Sequence, residues 1–285
     1  MKKIYFLITV DCDLRISSVK TRQQSLDLLL DVFEKSGLAG RITWFLNEND
    51  FAISHSHAGF LQEAAARGDT LGLHDHLDFL CGNWEYAAIR DFCSKSLRDV
   101  SRVIEAMGYR GLLPHRFGCL FQHSAAYQAL IDLGYAISSD VCPGSKHKNH
   151  TGELAYDNLD IPLGILPYRH AIHNIADFRS KQGPLIQFPV LQAHLTASWW
   201  PKLDRSIIDG WISSAEKLNQ EICVMTFLFH PYEIIDTERL KVDEEGLARL
   251  EELVAQMRDI YNAEFIAMGE CCRKLGFVEG AACPD

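Results

Sequence analysis

Gly72-Leu73-His74-Asp75-His76-Leu77-Asp78 is the stretch from which the rest of the chain is read. Four of its seven residues can bind a metal, two imidazoles and two carboxylates. Just before it, Leu61 to Arg67 reads as helix, Gly68-Asp69-Thr70 as a turn, and Leu71-Gly72-Leu73 as a short buried strand. His74 therefore falls at the C-terminal end of a strand, where α/β folds gather their chemistry. In an extended segment alternate residues share a side, which groups His74, His76 and Asp78. If the chain instead curls into a turn after His74, residues i and i+4 meet, and His74 pairs with Asp78. Either geometry lets His74 and Asp78 share one ion. A lone loop histidine is ordinarily a solvated side chain, but candidate ligands this dense favour a metal site.

The composition fits one large core: 285 residues, 47% of them hydrophobic. α/β barrels of this size commonly form one domain, and residues 1–285 are read as one, with no linker, repeat or low-complexity segment to divide them. A net charge of −10, from 28 basic and 38 acidic residues, argues against nucleic acid and against an anionic membrane surface as partners. Nine cysteines with no C-x-x-C pair suggest a reduced, cytoplasmic protein. Met1-Lys2-Lys3 begins like a signal peptide, but the apolar run Ile4 to Val10 is too short and Asp11 and Asp13 follow at once. No apolar stretch reaches the roughly 18 residues of a membrane span.

Ile4 to Val10 reads instead as a strand buried on both faces. Asp11 and Asp13 follow it on one side, with Cys12 opposite, and form a second candidate site beside a capping role. Helices are predicted over Ser25 to Ser36, Gly59 to Arg67, Trp84 to Met107, Ser124 to Leu133 and Gly246 to Asn262. Strands are predicted over Arg41 to Leu46, within Gly111 to Gly118, over Tyr135 to Asp140, from Asp160, within Gly183 to Val190, over Cys223 to Phe229 and over Ala263 to Met268. His55 and His57 are assigned to a surface loop, Cys142 to Asn158 to a flexible loop or lid, and Gly276 to Asp285 to a loosely held tail. Trp199, Trp200 and Trp211 could floor a sugar site or simply pack in the core. Roughly six to eight short strands alternating with helices indicate a parallel α/β barrel.

Asp11, Asp13, His74, Asp78, Arg116 and His230 come from distant segments, each at or just after a predicted strand end. In a barrel these ends converge on one rim. N/O ligands with an open position suit a catalytic zinc or a similar divalent ion.

Here the chain resembles the polysaccharide deacetylase family (carbohydrate esterase family four, NodB-like), over roughly residues 4 to 235. Thr9-Val10-Asp11-Cys12-Asp13 matches the Asp motif in its spaced form. Ala64 to His74, with Asp78 four residues on, matches the Gly-x-His motif; many members have His where this chain has Asp78, and His76 is a second candidate imidazole. Arg116-Phe117-Gly118, Leu133-Gly134-Tyr135 with Ser138-Ser139, and Phe227-Leu228-Phe229-His230-Pro231 match the remaining motifs. The resemblance implies a distorted (β/α) barrel of about seven or eight parallel strands. It implies one divalent metal ion, most simply zinc, held by Asp13, His74 and Asp78. It also implies Asp11 as general base, Arg116 as its orienting cation and His230 as general acid. The expected activity is hydrolysis of an N-acyl group, acetyl foremost, from a sugar-containing substrate. The alternatives are a non-sugar amide or cyclic imide as substrate, and a metal-free carbohydrate-binding barrel.

Overall fold

The computed structural model describes residues 3–13, 19–47, 54–77, 85–148, 152, 154–170, 174–175, 177–178, 183–196 and 200–278; within these, residues 19–20, 54–58, 96–97 and 99–107 are described by backbone alone. At its centre is β1 (Lys3–Asp11), in which every residue after Lys3 is buried. It pairs in parallel with β10 (Ile222–Phe229) on one side and β2 (Ile42–Asn47) on the other. A strand buried on both faces must be apolar throughout, which is why these three segments stand out in the sequence. The sheet continues through β3 (Thr70–Asp75), β4 (Pro114–Phe117), β5 (Ile137–Ser138) and β9 (Leu185–Gln187) to β8 (Tyr168–His170), in the order β10-β1-β2-β3-β4-β5-β9-β8. All of these pairs are parallel except β8 with β9. Beyond β9 the chain crosses to β10, where Val190 bridges Thr226 and the Leu191 N–H donates to Thr226 O at 2.9 Å. That bridge draws the curled sheet toward closure, giving a distorted (β/α) barrel.

Alternation divides the side chains into two layers. Phe6, Ile8, Val10, Trp44, Leu46, Leu71 and Leu73 pack outward. They meet the helical layer of α1 (Val19–Lys35), α2 (Ser54–Arg67), α3 (Tyr86–Met107), α4 (Ser124–Asp132), α5 (Arg205–Lys217) and α6 (Glu244–Asp259), from which Phe33 and Phe60 meet the Trp44 ring edge to face. Tyr5, Leu7, Phe45, Ile137, Ile186 and Phe188 form an inner cluster together with Met268, Cys271 and Cys272 of a short helix, α7 (Met268–Lys274). The first N–H groups of α7 donate to Thr43 Oγ1 at 2.9 Å and Thr70 Oγ1 at 3.1 Å, satisfying donors a helix start leaves unpaired. α7 thus sits against the starts of β2 and β3, the end of the sheet opposite the candidate ligands. The inner positions that follow these apolar layers are polar: Asp11, His74, Arg116 and Ser139.

Several local expectations change. His55 and His57 lie in α2 rather than a loop. The segment from Cys142 holds a hairpin, β6 (Lys146–Lys148) with β7 (Leu154–Asp157), and Cys142, Ser145 and Tyr156 are buried. No strand starts at Asp160; the Ile161 N–H closes a turn to Asn158 O at 3.1 Å, and pairing resumes only at β8. The final strand among the described residues is β11 (Glu264–Phe265), and Met268 begins α7. Phe277 and Val278 pack on the inner cluster, so the first part of the predicted tail is held; 279–285 lie outside the described residues. Trp211 is buried and donates its indole N–H to Val224 O at 3.1 Å, a core role, while Trp199 lies outside the described residues. No helix among the described residues is long and apolar enough to cross a membrane.

Candidate active site at the strand ends

β1, β3, β4 and β10 deliver the site. Parallel register sets Val10 beside Phe229, Asn47 beside His74 and His74 beside Arg116, so the strands end nearly level. The close approach of β3 and β4 depends on Gly72, because a Cβ there would lie 2.6 Å from Pro114 O.

Asp13, His74 and His76 converge. Asp13 Oδ2 lies 3.3 Å from His74 Nε2 and 3.0 Å from His76 Nε2, and the three ligand atoms fit around one ion. His74 is buried and its other ring nitrogen, Nδ1, faces Arg116 O at 3.1 Å, the backbone anchoring expected of a metal-binding imidazole. Two nitrogens and one carboxylate oxygen make a borderline donor set suited to zinc or a similar divalent ion. Burial pushes the Asp13 pKa up, but the neighbouring imidazoles outweigh it and hold the carboxyl well below its usual range. Burial pulls His74 down while Asp11 and Asp13 raise it, and the carboxylates prevail. Asp78 lies outside the described residues, and His76 occupies a ligand position in this geometry.

Asp11 sits deeper. Its Oδ1 accepts from Arg116 at 2.7 Å, and its Oδ2 is 3.9 Å from His74 Nδ1. The contact from Arg116 uses one guanidinium arm, not a bidentate fork. The same nitrogen donates to Thr9 Oγ1 at 2.9 Å, Nε donates to Ser139 O at 3.0 Å, and the remaining nitrogen donates to Ser139 Oγ at 2.8 Å. The guanidinium lies 4.1 Å from the Phe45 ring centroid, a cation–π contact inside the barrel. Arg116 is thereby fixed by three other chain segments, and with it Asp11.

His230 follows β10 and is largely buried. Its neighbours Glu233 and His194 belong to no motif in the sequence. The only local hint is the i, i+3 spacing of His230 and Glu233 around Pro231, a capping-box pattern in which Glu233 accepts the His230 N–H at 3.0 Å. Thr9 and Ser139 stand within the motifs quoted above, but their hold on Arg116 emerges only from the fold.

No protein-family model matches the chain, and no curated protein matches it in sequence. Solved structures do match. A Mycobacterium smegmatis protein whose name assigns it to the polysaccharide deacetylases superposes with a TM-score of 0.61 at 13% identity, covering 100% of this chain and 95% of its own. A Pseudomonas aeruginosa PAO1 protein named to the same group gives 0.61 at 12% identity, covering 97% of this chain and 92% of its own. PuuE allantoinase gives 0.62 at 11% identity, covering 98% of this chain and 92% of its own. The chain has the polysaccharide deacetylase fold, as the resemblance in the sequence implied, and that fold is shared by an enzyme with a non-sugar name.

Proposed function

We propose that the protein is a metal-dependent hydrolase that removes an N-acyl group, acetyl foremost, from a sugar-containing substrate. The observation that carries this reading is the meeting of Asp13, His74 and His76 beside the buried Asp11–Arg116 pair, on the rim of a deacetylase fold. Asp13, His74 and His76 are the residues that would hold the ion. A bound divalent ion supplies Lewis acidity, which eases deprotonation of a water and draws charge from the acyl oxygen. Asp11 accepts the proton of the attacking water, held in place by Arg116. His230 delivers a proton to the departing nitrogen, which as an uncharged amine is a far better leaving group than an amide anion.

Metal content tests the ligand set directly. Protein purified without chelator is expected to carry about one equivalent of a divalent ion per chain, the number one three-ligand site holds. His74→Ala and His76→Gln should lose it and Asp78→Asn should keep it; loss in Asp78→Asn with retention in His76→Gln would restore Asp78 as the ligand. Asp11→Asn should retain the ion and lose turnover by on the order of 10²- to 10⁴-fold. The likeness to PuuE allantoinase favours a second reading, the same site acting on a cyclic, non-sugar amide. A panel of N-acyl sugars and cyclic amides separates the two. Turnover confined to the cyclic amides would select the second.

A further inference from the structure

Asp75 and His115, at the C-terminal ends of β3 and β4, break the pattern of the sheet's outer face. Leu71 and Leu73 of β3 and Phe117 of β4 share that face and pack in the outward apolar layer. Alternation puts Asp75 and His115 on the same side as these residues, and both are fully buried. His115 Nε2 lies 2.8 Å from Asp75 Oδ2, with the imidazole N–H donating to the carboxyl oxygen. The His115 ring is boxed edge to face by Phe117 and Tyr135, with centroids 4.3 Å and 5.3 Å away. Two packed apolar side chains would hold the strands together without the cost of desolvating polar groups, and such replacements are often neutral or stabilising. Stability is therefore a poor account of this pair. What a hydrogen bond adds to packing is a direction.

Asp75 is the last residue of β3 and the link between His74 and His76. In the ladder its partner is Phe117, but its side chain reaches back diagonally to His115, the partner of Leu73. On the opposite face of the same two strands, His74 Nδ1 faces Arg116 O at 3.1 Å. The end of β3 is thus tied to β4 from both faces, which fixes its rotation about the strand axis. That rotation decides where the rings of His74 and His76 lie, now edge to face with centroids 4.8 Å apart. His115 also immediately precedes Arg116, so the same bond steadies the strand that carries the cation beside Asp11.

We propose that Asp75 and His115 are positioning residues for the metal ligands: their hydrogen bond, on the reverse of the sheet, sets the spread of the His74 and His76 nitrogens that would share the ion. This rests on Asp13, His74 and His76 being the ligand set. The support differs from that given by a partner bonded to a ligand's own ring. It acts on the backbone between two ligands, from the side of the sheet that neither ion nor substrate reaches.

The test is the zinc affinity of the full-length protein, by competition with a chromogenic chelator, with the visible spectrum of the cobalt(II)-loaded protein reporting ligand geometry. His115→Gln and His115→Asn supply the same amide at different reach. The Gln nitrogen falls near the place of Nε2, and the Asn nitrogen near that of Nδ1, which has no hydrogen-bond partner among the described residues. His115→Gln should bind zinc close to wild type. His115→Asn should bind it on the order of 10- to 100-fold more weakly, with an altered cobalt spectrum. The double variant Asp75→Leu with His115→Phe removes the bond and leaves apolar groups in its place. Its unfolding midpoint should stay near wild type while zinc affinity falls as in His115→Asn, and it decides the matter if His115→Asn does not fold. A loss in His115→Gln as large as in His115→Asn would overturn the proposal. If the double variant binds zinc as wild type does, the ligand set stands and the positioning role falls. If wild type itself binds neither zinc nor cobalt, the ligand set falls and the proposal with it.

Discussion

Arg116 shows how a single side chain can organise a site. It is fully buried, and its guanidinium donates to Asp11, Thr9 and Ser139. Replacing it with Met would leave Asp11 as a buried charge without its partner, so Arg116→Met should lose about 3–5 kcal/mol of stability, measured by denaturant unfolding. Gly118 offers a gentler probe. A Cβ at that position would clash with the His76 ring, whose Nδ1, Cε1 and Cγ are its nearest neighbours. Gly118→Ala should therefore turn His76 away and weaken metal binding without removing a ligand, and titration with a chelator would read the change; unaltered affinity would exclude His76. Alternation paired Asp11 with Asp13 and grouped His74 with His76 and Asp78, and the convergence of strand ends in a barrel brought the two sets to one rim. Glu233 was not legible, because its partners Leu195 and Thr196 lie 38 and 37 positions away in the chain.

The elements read best from the sequence are those buried on both faces. β1, β2 and β10 are apolar runs each interrupted by one threonine, and their expected bounds differ from the observed ones by a residue or two. β8 was missed because Tyr168-Arg169-His170 has no apolar run and pairs on one side only, with β9. Ile161 misled in the opposite sense. It is buried with Val141, Ile165 and Tyr168 in a small cluster of its own, so it is apolar for packing rather than for pairing. α7 spans only seven residues, too few for a helical period to declare itself. The β3–β4 junction makes the sharpest prediction at this scale. Gly72→Ala must move β3 from Pro114, carrying His74 away from its anchor on Arg116 O. Thermal unfolding should show a lower midpoint and metal affinity should fall with it; a variant that keeps both would mean the strands can part without cost to the site.

The whole molecule carries buried acids whose ionisation couples to folding. Burial pushes Asp69 and Asp140 up to about 6, although Trp44 and Ile42 hydrogen-bond to the first and Ser138 and Phe117 to the second. Their folded pKa exceeds the unfolded value of about 3.9, so between about pH 4 and pH 6 the folded state binds more protons and stability falls as pH rises. Glu233 acts in the other direction. Despite its burial, the His194 and His230 imidazoles bring its folded pKa down to about 2, below the unfolded value, so its contribution is complete above about pH 4.5 and is lost as pH falls toward 2. Urea unfolding across pH 3 to 7 should therefore show a maximum near about pH 4 from these three groups. Asp140→Asn keeps both partners, since the Ser138 hydroxyl can accept as well as donate, and should flatten the decline above pH 4 by on the order of 2–3 kcal/mol. An unchanged slope would place the titrating group elsewhere.

The pairing of β1 with β10 also sets an order of events. Thr9 hydrogen-bonds to Phe227 O across 218 positions of chain, and the eight registered pairs of these strands run from Lys3 to Val10. During synthesis β1 leaves the ribosome long before its partner exists, with one apolar edge uncovered for most of translation. A nascent chain halted before Ile222 has no strand to place beside it and no His230 to complete the rim. Such chains are the ones on which a chaperone would act, and the site forms only once nearly all of the barrel has been made.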